Sequence, residues 1–454
     1  MKKSLTISIL GIIQLFLNLF FQIFILNVFG VGNALDIYYA SNTIKLIITA
    51  ISVGAINFAF TPLFIDYFRK NKLNDLKEIA NSLFNIIFII FLFLSIIQWL
   101  FASQLVKVIL PGFTSSELEL TVLFFKIFAF VSIVTISNAI LRSLYYTFDK
   151  FYTTIYYSII GLVIQFFFVY FLYQKFSLFS LVYGIIANQL IVFVLMSIPF
   201  FKFYKPKIKW TKNFKNALKN IAPLIVSSSF SKSNILIDRF FASTLLPGSI
   251  TLLYYGEFAI KAISGFVNKG ISLVSLRKFS FYSDDIEKFE KLFYFVNKVI
   301  IFICIPLLFA IAFFFEDTLK IVVISDKLSL EDVNKLYLVI VCLLGMFVGG
   351  NLSSTLTNVF YAKKLTVLIS KVNVGTQVFG IILKILLFYI FGFWGLPIAF
   401  SFTSLTNTLV LFYLYNTKIN KLHIGAILKY LFKVIVISLI AAGVSKLFVF
   451  FYFE

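Results

Sequence analysis

Long apolar stretches dominate this chain of 454 residues, and short polar segments separate them. Thirteen stretches reach the roughly 20 residues that a helix needs to cross the hydrocarbon core of a bilayer. We therefore predict an all-α polytopic membrane protein with about 13 transmembrane helices, within a range of 12 to 14. The predicted spans are residues 5–29, 36–65, 80–110, 121–147, 153–173, 178–201, 217–246, 250–276, 292–315, 333–361, 365–391, 394–416 and 428–452.

The composition agrees with this pattern and excludes several functional classes. The chain is 61% hydrophobic and 13% charged, and its mean hydropathy is +1.00. This is more apolar surface than the core of a soluble protein can bury. The net charge of +21 would indicate a nucleic-acid partner in a soluble protein, but here the lysines fall in short loops, so we expect none. Cys304, Cys342 and the single His423 give little material for a metal site, and we expect no metal and no cofactor.

The basic residues of the loops alternate along the chain. With the N-terminus placed inside, the inner segments hold 23 lysines and arginines and the outer segments hold 4. Lysine and arginine collect on the cytoplasmic side of membrane proteins. The pattern predicts a multi-pass protein of the bacterial inner (cytoplasmic) membrane with a cytoplasmic N-terminus.

A weak internal repeat links the two halves. A shift of 216 positions places Gly32, Tyr38, Lys45 and Gly54 on Gly248, Tyr254, Lys261 and Gly270. Because six spans separate the copies, both halves have the same orientation in the membrane, which is a parallel repeat. We predict two six-helix lobes, 1–201 and 217–416, around a central cavity. A basic cytoplasmic linker, 202–216, joins the lobes, and an extra C-terminal helix, 417–454, follows them.

Polar residues recur at helical spacing inside two predicted spans. Such stripes are explained either by hydrogen-bonded packing between helices or by a wet cavity, since a charge facing lipid is costly. For Lys45 and Lys261, which match in the repeat, we favour the cavity, whereas Lys126, Lys298 and Lys384 are interpreted as side chains that reach an interface. The stripes are Asn42, Lys45, Thr49 and Ser52 in one half and Glu257, Lys261, Ser264 and Asn268 in the other.

The seventh span is too polar to face lipid. It carries the run Ser227–Asn234 followed by Asp238 and Arg239. Arg239 or Lys232 could contact a phosphate and Asp238 could serve as an ion or gating site; equally, Asp238 and Arg239 could only neutralise neighbouring charges. The spans are net basic, so we expect an anionic cargo. The candidate substrate-binding residues are Asp36, Lys45, Lys232, Arg239, Glu257, Lys261 and Lys269.

Several motifs resemble one known family. They are Phe29-Gly30-Val31-Gly32 with Asp36-Ile37-Tyr38-Tyr39-Ala40, the turn Pro111-Gly112-Phe113, and the stretch from Ala242 to Tyr255. Together they resemble the lipid II flippase family (MurJ, also called MviN), within the multidrug/oligosaccharidyl-lipid/polysaccharide exporter superfamily. The resemblance implies a flippase that moves an undecaprenyl-pyrophosphate-linked glycan, foremost lipid II, from the cytoplasmic to the outer leaflet by alternating access.

The resemblance also assigns residues. It places the family's cavity aspartate on Asp36, whereas its arginines correspond to positions that hold no arginine here. In the sodium-binding design of some members, Asp238 fits the first part, and Asn373 and Gln377 stand at the second part, where members have Asn and Asp. Proton, sodium or membrane potential stay open as the driving force. The family's arginines correspond to Leu15, Phe21, Ile48, Thr49 and Phe258.

Two other functions remain as alternatives. A flippase for a capsule or O-antigen repeat unit would handle a related lipid-linked glycan. A membrane glycosyltransferase or polymerase would need acid–base groups on a substantial loop. The only long outer segment, 316–333, offers carboxylates without a partnered basic residue or histidine, so we do not expect an enzyme.

Overall fold

The computed structural model describes residues 2–211, 214–215, 232–323, 326–421 and 423–453. These ranges are almost wholly helical and contain no strand, which confirms the prediction of an all-α fold. The helices are α1 (Lys2–Phe29), α2 (Asn33–Arg69), α3 (Leu73–Leu100), α4 (Ala102–Ile109), α5 (Ser115–Thr147), α6 (Phe151–Phe176), α7 (Phe179–Phe201), α8 (232–243), α9 (Ser249–Phe281), α10 (Ile286–Val322), α11 (Leu330–Cys342), α12 (Leu344–Ala362), α13 (Thr366–Phe391), α14 (Gly395–Lys418) and α15 (Ile424–Phe453), with a 3₁₀ turn at Gly392–Trp394.

Ten stretches of the described residues are long and apolar enough to cross a membrane. One of them, 366–418, contains both α13 and α14. The predicted span 217–246 begins in residues outside the described ranges. The exact number of thirteen spans therefore stays a prediction.

Two predicted spans each contain a one-residue interruption of the helix, and one of them, 333–361, lies within a single candidate membrane span, 330–362. The span 80–110 consists of α3 and the short α4, which are separated at Phe101. The span 333–361 is likewise divided at Leu343 into α11 and α12.

The chain forms two compact units, residues 1–250 and 251–454. In the first unit, α5 packs against α2, α3, α4 and α7, while α6 packs against α1 and α7. In the second unit, α14 packs against α12 and α13, and α10 packs against α12 and α15. The aromatic side chains of Phe60, Phe64 and Phe214 are fully buried in the core of the first unit.

The helix starts follow the spacing of the internal repeat. The helices α2, α6 and α7 begin at Asn33, Phe151 and Phe179, and α9, α13 and α14 begin at Ser249, Thr366 and Gly395, which is 215 or 216 residues later. Residue matches in apolar sequence arise easily by chance, but matched helix starts are an independent observation. They support the repeat, while the two six-helix lobes with their boundaries stay a prediction.

The described part of the basic linker is fixed along α3. Asn85 donates through its side-chain amide to the carbonyl oxygens of Lys205 and Lys207, both at 3.2 Å. The backbone N–H of Lys209 donates to Ser82 Oγ at 2.8 Å. Because backbone groups of the linker are satisfied by side chains of α3, residues 203–209 form an extended strip on that helix.

Candidate functional site at the start of α2

Two glycine-containing turns and one capping box shape the surroundings of the start of α2. The first helix ends at Phe29, and Gly30 has a φ of 72°, a left-handed conformation that favours glycine. The helix α5 starts with a capping box in which the Thr114 N–H donates to Glu117 Oε2 at 2.7 Å. The charge pattern predicts that the turns before α2 and α5 and the turn after α8 all lie on the outer side.

Asp36 connects the first turn of α2 to the turn that follows α8. Its Oδ2 accepts a 2.7 Å hydrogen bond from the backbone N–H of Gly248, and the side chain is 4% exposed. A carboxylate is favoured in the first turn of a helix, where free N–H groups concentrate positive charge. The bond is charge-assisted and buried, so it holds the two segments together strongly.

Two glycines let these turns approach closely. Gly248 has a φ of 92°, and a Cβ built on it would lie 2.5 Å from Val31 Cγ1. A Cβ on Gly112 would lie 2.0 Å from the carbonyl oxygen of Ser243. The sequences around both glycines are among the motifs that carry the family resemblance, and the geometry supplies a physical reason for glycine at each position.

Arg239 makes a second connection between α8 and α2. Its Nε donates to Thr43 Oγ1 at 3.2 Å and its Nη1 donates to the carbonyl oxygen of Ile250 at 3.3 Å. The side chain is 6% exposed. We call the four residues Asp36, Thr43, Arg239 and Gly248 the α2–α8 seam.

Lys45 lies on the opposite side of α2 from the seam. Positions 36 and 43 are two turns apart and share one face, whereas position 45 is rotated by about half a turn from position 43. The Lys45 ammonium lies 4.9 Å from the centroid of the Phe128 ring on α5, and the side chain is 6% exposed. Lys45 is therefore packed between α2 and α5 in this structure, and its role in a wet cavity stays a prediction.

The matching stripe on α9 divides into two parts. Glu257 and Lys261 form an ion pair, and the Lys261 side chain is 56% exposed. Further along the helix, Asn268 donates to Asn351 Oδ1 at 2.5 Å, and Asn351 donates to Ser264 Oγ at 3.3 Å. Polar packing against α12 thus explains Ser264 and Asn268, while Lys261 projects from the packed part of the second unit.

The remaining predicted residues lie in separate places. On α8, Asp238 is buried and Lys232 is half-buried. On α13, Asn373 and Gln377 are half-buried. The side chain of Lys269 lies outside the described residues. Among the described residues, no group of three or more histidines, cysteines or carboxylates could hold a metal ion.

The interpretation of Lys384 as an interfacial lysine is wrong. Its side chain is 1% exposed, and its Nζ lies 3.6 Å from the centroid of the Phe400 ring on α14. An aromatic face stabilises a desolvated ammonium, so this lysine is accommodated inside the helical packing. By contrast, Lys298 is exposed beside Tyr430, and Lys126 is half-buried over Trp99.

Sequence reasoning did not identify the roles of Thr43 and Gly248. Threonine at position 43 has no charge and lies beside a conspicuous polar stripe, so nothing in the sequence distinguishes it as a partner of Arg239. Gly248 is visible in the repeat, where it matches Gly32, but its backbone N–H as a hydrogen-bond donor is a property of the folded turn.

Comparisons with known proteins agree over most of the chain. The family described as "Lipid II flippase MurJ" matches residues 25–454. A "Probable lipid II flippase MurJ" of Buchnera aphidicola subsp. Acyrthosiphon pisum is 24% identical over 436 residues, covering 90% of this chain and 83% of the relative. A protein of the same description from Vibrio cholerae is 21% identical over 433 residues, covering 91% of this chain and 82% of the relative.

Solved structures show the same fold. A structure titled "Lipid II flippase MurJ, inward closed conformation" is similar with a TM-score of 0.80 at 22% identity, over 97% of this chain and 92% of that chain. An inward-facing multidrug resistance MATE family transporter of the MOP superfamily gives a TM-score of 0.73 at 13% identity, over 92% and 96% of the two chains. At these identities the similarity shows a shared fold, the helical arrangement of the two transporters.

Proposed function

Because this chain belongs to the lipid II flippase MurJ family, we propose that it moves an undecaprenyl-pyrophosphate-linked glycan, foremost lipid II, from the cytoplasmic to the outer leaflet of the inner membrane. The family match over residues 25–454 is the observation that carries this proposal. The relatives from Buchnera and Vibrio cholerae are named for the same activity. Movement of a lipid between leaflets makes and breaks no covalent bond, so the proposal needs no catalytic residue.

The basic residues of the helices fit the pyrophosphate of such a cargo. Lys261 is the best placed of them, because its side chain is more than half exposed and its ion pair with Glu257 lies within one helix. A pyrophosphate can compete with one carboxylate for an ammonium group through charge-assisted hydrogen bonds. Lysine binds phosphate as a point charge without a fixed bidentate geometry, so we expect loose selection among attached sugars.

Alternating access requires contacts that open and close on one side of the membrane, and we assign that role to the α2–α8 seam. Its segments are joined through two buried side chains, Asp36 and Arg239, and a close approach at Gly248. The seam lies on the side that the charge pattern predicts to be outer. We propose that its hydrogen bonds break when cargo is released to the outer leaflet and form again afterwards.

One observation keeps a second cargo under consideration. The positions that correspond to the family's arginines hold residues that cannot form a charged fork around a pyrophosphate. A capsule or O-antigen repeat unit on the same lipid carrier is therefore the alternative cargo. The positions are Leu15, Phe21, Ile48, Thr49 and Phe258.

A transport assay in vesicles tests both the activity and the choice of cargo. Purified protein is reconstituted with fluorescent lipid II or with an undecaprenyl-pyrophosphate-linked O-antigen unit, and the fraction that reaches the opposite leaflet is measured. Faster movement of lipid II identifies the first cargo, and faster movement of the O-antigen unit identifies the alternative. Protein that moves neither lipid above the rate of empty vesicles contradicts the proposal.

The variant Lys261→Gln then tests the phosphate contact. Loss of one charge-assisted contact should weaken cargo binding about tenfold to a hundredfold, and Lys261→Arg should retain part of the activity. Lys291→Gln is a matched control, because Lys291 is also exposed and also pairs with a glutamate four residues earlier, Glu287. If Lys261→Gln and Lys291→Gln transport equally well, Lys261 does not hold the pyrophosphate.

A further inference from the structure

An apolar groove lies between α9 and α10 in the second unit. It has a volume of about 640 Å³, which is within the range of small-ligand sites. Its lining side chains are apolar except for Ser275 and Lys278. Ser275 is already engaged, because it donates to the carbonyl oxygen of Ser272 and accepts from Asn358. The groove is therefore an apolar slot with a single charged group at one end.

The groove is open to the surroundings along its length. Phe266 and Val274 on α9 are 46% and 55% exposed, and Phe295 on α10 is 63% exposed. From Phe266 to Lys278 the helix rises about 18 Å. That length is close to half of the roughly 30 Å hydrocarbon core, which is the depth of one leaflet.

Lys278 marks the end of the groove that the charge pattern predicts to be cytoplasmic. In the described part of the chain it forms no ion pair, whereas Lys288 and Lys291 nearby are paired with Asp285 and Glu287. An unpaired ammonium at the mouth of an apolar slot is complementary to a lipid whose phosphate lies at the membrane surface and whose chain points inward.

We propose that this groove binds one anionic glycerophospholipid of the cytoplasmic leaflet, with an acyl chain between α9 and α10 and the phosphate on Lys278. The match to one leaflet favours a phospholipid chain, since an undecaprenyl chain is much longer than the slot. This inference rests on the predicted orientation and does not depend on which glycan the protein transports.

Fluorescence quenching by lipids with brominated chains tests the proposal directly. The three native tryptophans are replaced by phenylalanine, and Phe295→Trp provides a reporter in the groove. Phe432→Trp is the matched control, because Phe432 is 70% exposed and lies eight residues into α15, while Phe295 lies nine residues into α10. Both are aromatic residues near a helix start that is predicted to be cytoplasmic.

We expect brominated phosphatidylglycerol to quench Phe295→Trp at about fivefold lower membrane fractions than brominated phosphatidylcholine, since one lysine near an anionic surface changes affinity by about that factor. Phe432→Trp should respond to both lipids equally. Adding Lys278→Gln should remove the preference at Phe295→Trp, whereas adding Lys291→Gln should keep it.

Three outcomes would overturn the proposal. Equal quenching of Phe295→Trp by both lipids would mean that bulk lipid fills the groove. A preference that survives Lys278→Gln would place the phosphate elsewhere. Displacement of the brominated phosphatidylglycerol by an equal amount of undecaprenyl phosphate would assign the groove to the lipid tail of the cargo.

Discussion

A buried hydrogen bond of 2.7 Å joins the Asp36 carboxylate to the backbone N–H of Gly248, although 212 positions separate the two residues. It fixes the turn after α8 against the start of α2. The same turn is held at its other end, where the Gly112 N–H donates to Ser243 Oγ at 3.4 Å. If the bond between Asp36 and Gly248 is lost, Ser243 should become more exposed, so the exposure of Ser243 reports the strength of that bond.

Asp36→Ala should loosen this turn. The variant leaves the Gly248 N–H without its acceptor, and the loss of a hydrogen bond to a charged group amounts to about 1.5–3 kcal/mol. A cysteine introduced at Ser243, which is 5% exposed, should then react at least about tenfold faster with a membrane-impermeant thiol reagent. The rate is measured after replacement of Cys304 and Cys342 by alanine.

Asp66→Ala is the control for this experiment. Asp66 is on the same helix, but it is half exposed and pairs with Lys70. Its loss should leave the reactivity at position 243 unchanged. Equal reactivity in Asp36→Ala and the parent would show that the hydrogen bond does not hold the turn.

Gly248→Ala should destabilise the protein by about 1–3 kcal/mol. Alanine is strained at a φ of 92°, and its Cβ would overlap Val31 Cγ1. Gly443→Ala is the contrasting variant, because position 443 lies in α15 and a Cβ there meets nothing within 4 Å. Since alanine is the better helix former, Gly443→Ala should be neutral or slightly stabilising. Thermal unfolding in detergent, followed by size-exclusion fluorescence, compares the two.

Phe400→Leu should lower the melting temperature more than Phe402→Leu, which changes an exposed residue of the same helix. The first change removes the aromatic face beneath the Lys384 ammonium, a contact worth about 2 kcal/mol when it is desolvated. Phe402 is 56% exposed, so its replacement by leucine changes only the outer surface of α14. The melting temperatures of the two variants give the comparison, and equal values would argue against a stabilising ring at position 400.

The orientation in the membrane can be tested with two cysteines. A cysteine at Asp285, before α10, should react only from the cytoplasm, and one at Asp326, before α11, only from outside. Impermeant labelling of intact cells and of inverted vesicles distinguishes the sides. Labelling of position 285 in intact cells would reverse the orientation and the direction of transport proposed above.

The sequence was sufficient to predict the all-α fold because hydropathy and length alone define helices that cross a bilayer. It was also sufficient to find the 216-residue repeat, which the starts of α2 and α9 reproduce. The division of the span 80–110 was not predictable in the same way. Phe101 is as apolar as its neighbours, so hydropathy gives no signal for the end of α3.

The types of residue at the candidate site could be predicted from the sequence, but their contacts in the folded chain could not. Intramembrane charge drew attention to Asp36 and Arg239, which the fold brings to the α2–α8 seam, and their contact with a substrate stays a prediction. It could not distinguish Lys45 from Lys261, which match in the repeat but differ in exposure, because the surroundings of a side chain depend on the packing of α5 and α12. The burial of Lys384 was missed for the same reason, since its partner ring is 16 residues away on another helix.

Because residues 203–209 pack along α3, they limit the positions at which the chain can be divided into fragments. A fragment that ends at Phe201, the last residue of α7, would leave the amides of Asn81 and Asn85 and the hydroxyl of Ser82 without the partners that residues 203–209 provide. The amides of Asn81 and Asn85 are buried, and each orphaned amide costs about 1–3 kcal/mol, whereas the Ser82 hydroxyl keeps its bond to the carbonyl oxygen of Glu78. Residues 203–209 therefore act as a strut of the first bundle and not as a tether, and a fragment that is to keep this packing must extend at least through Phe214, which is buried in the same core.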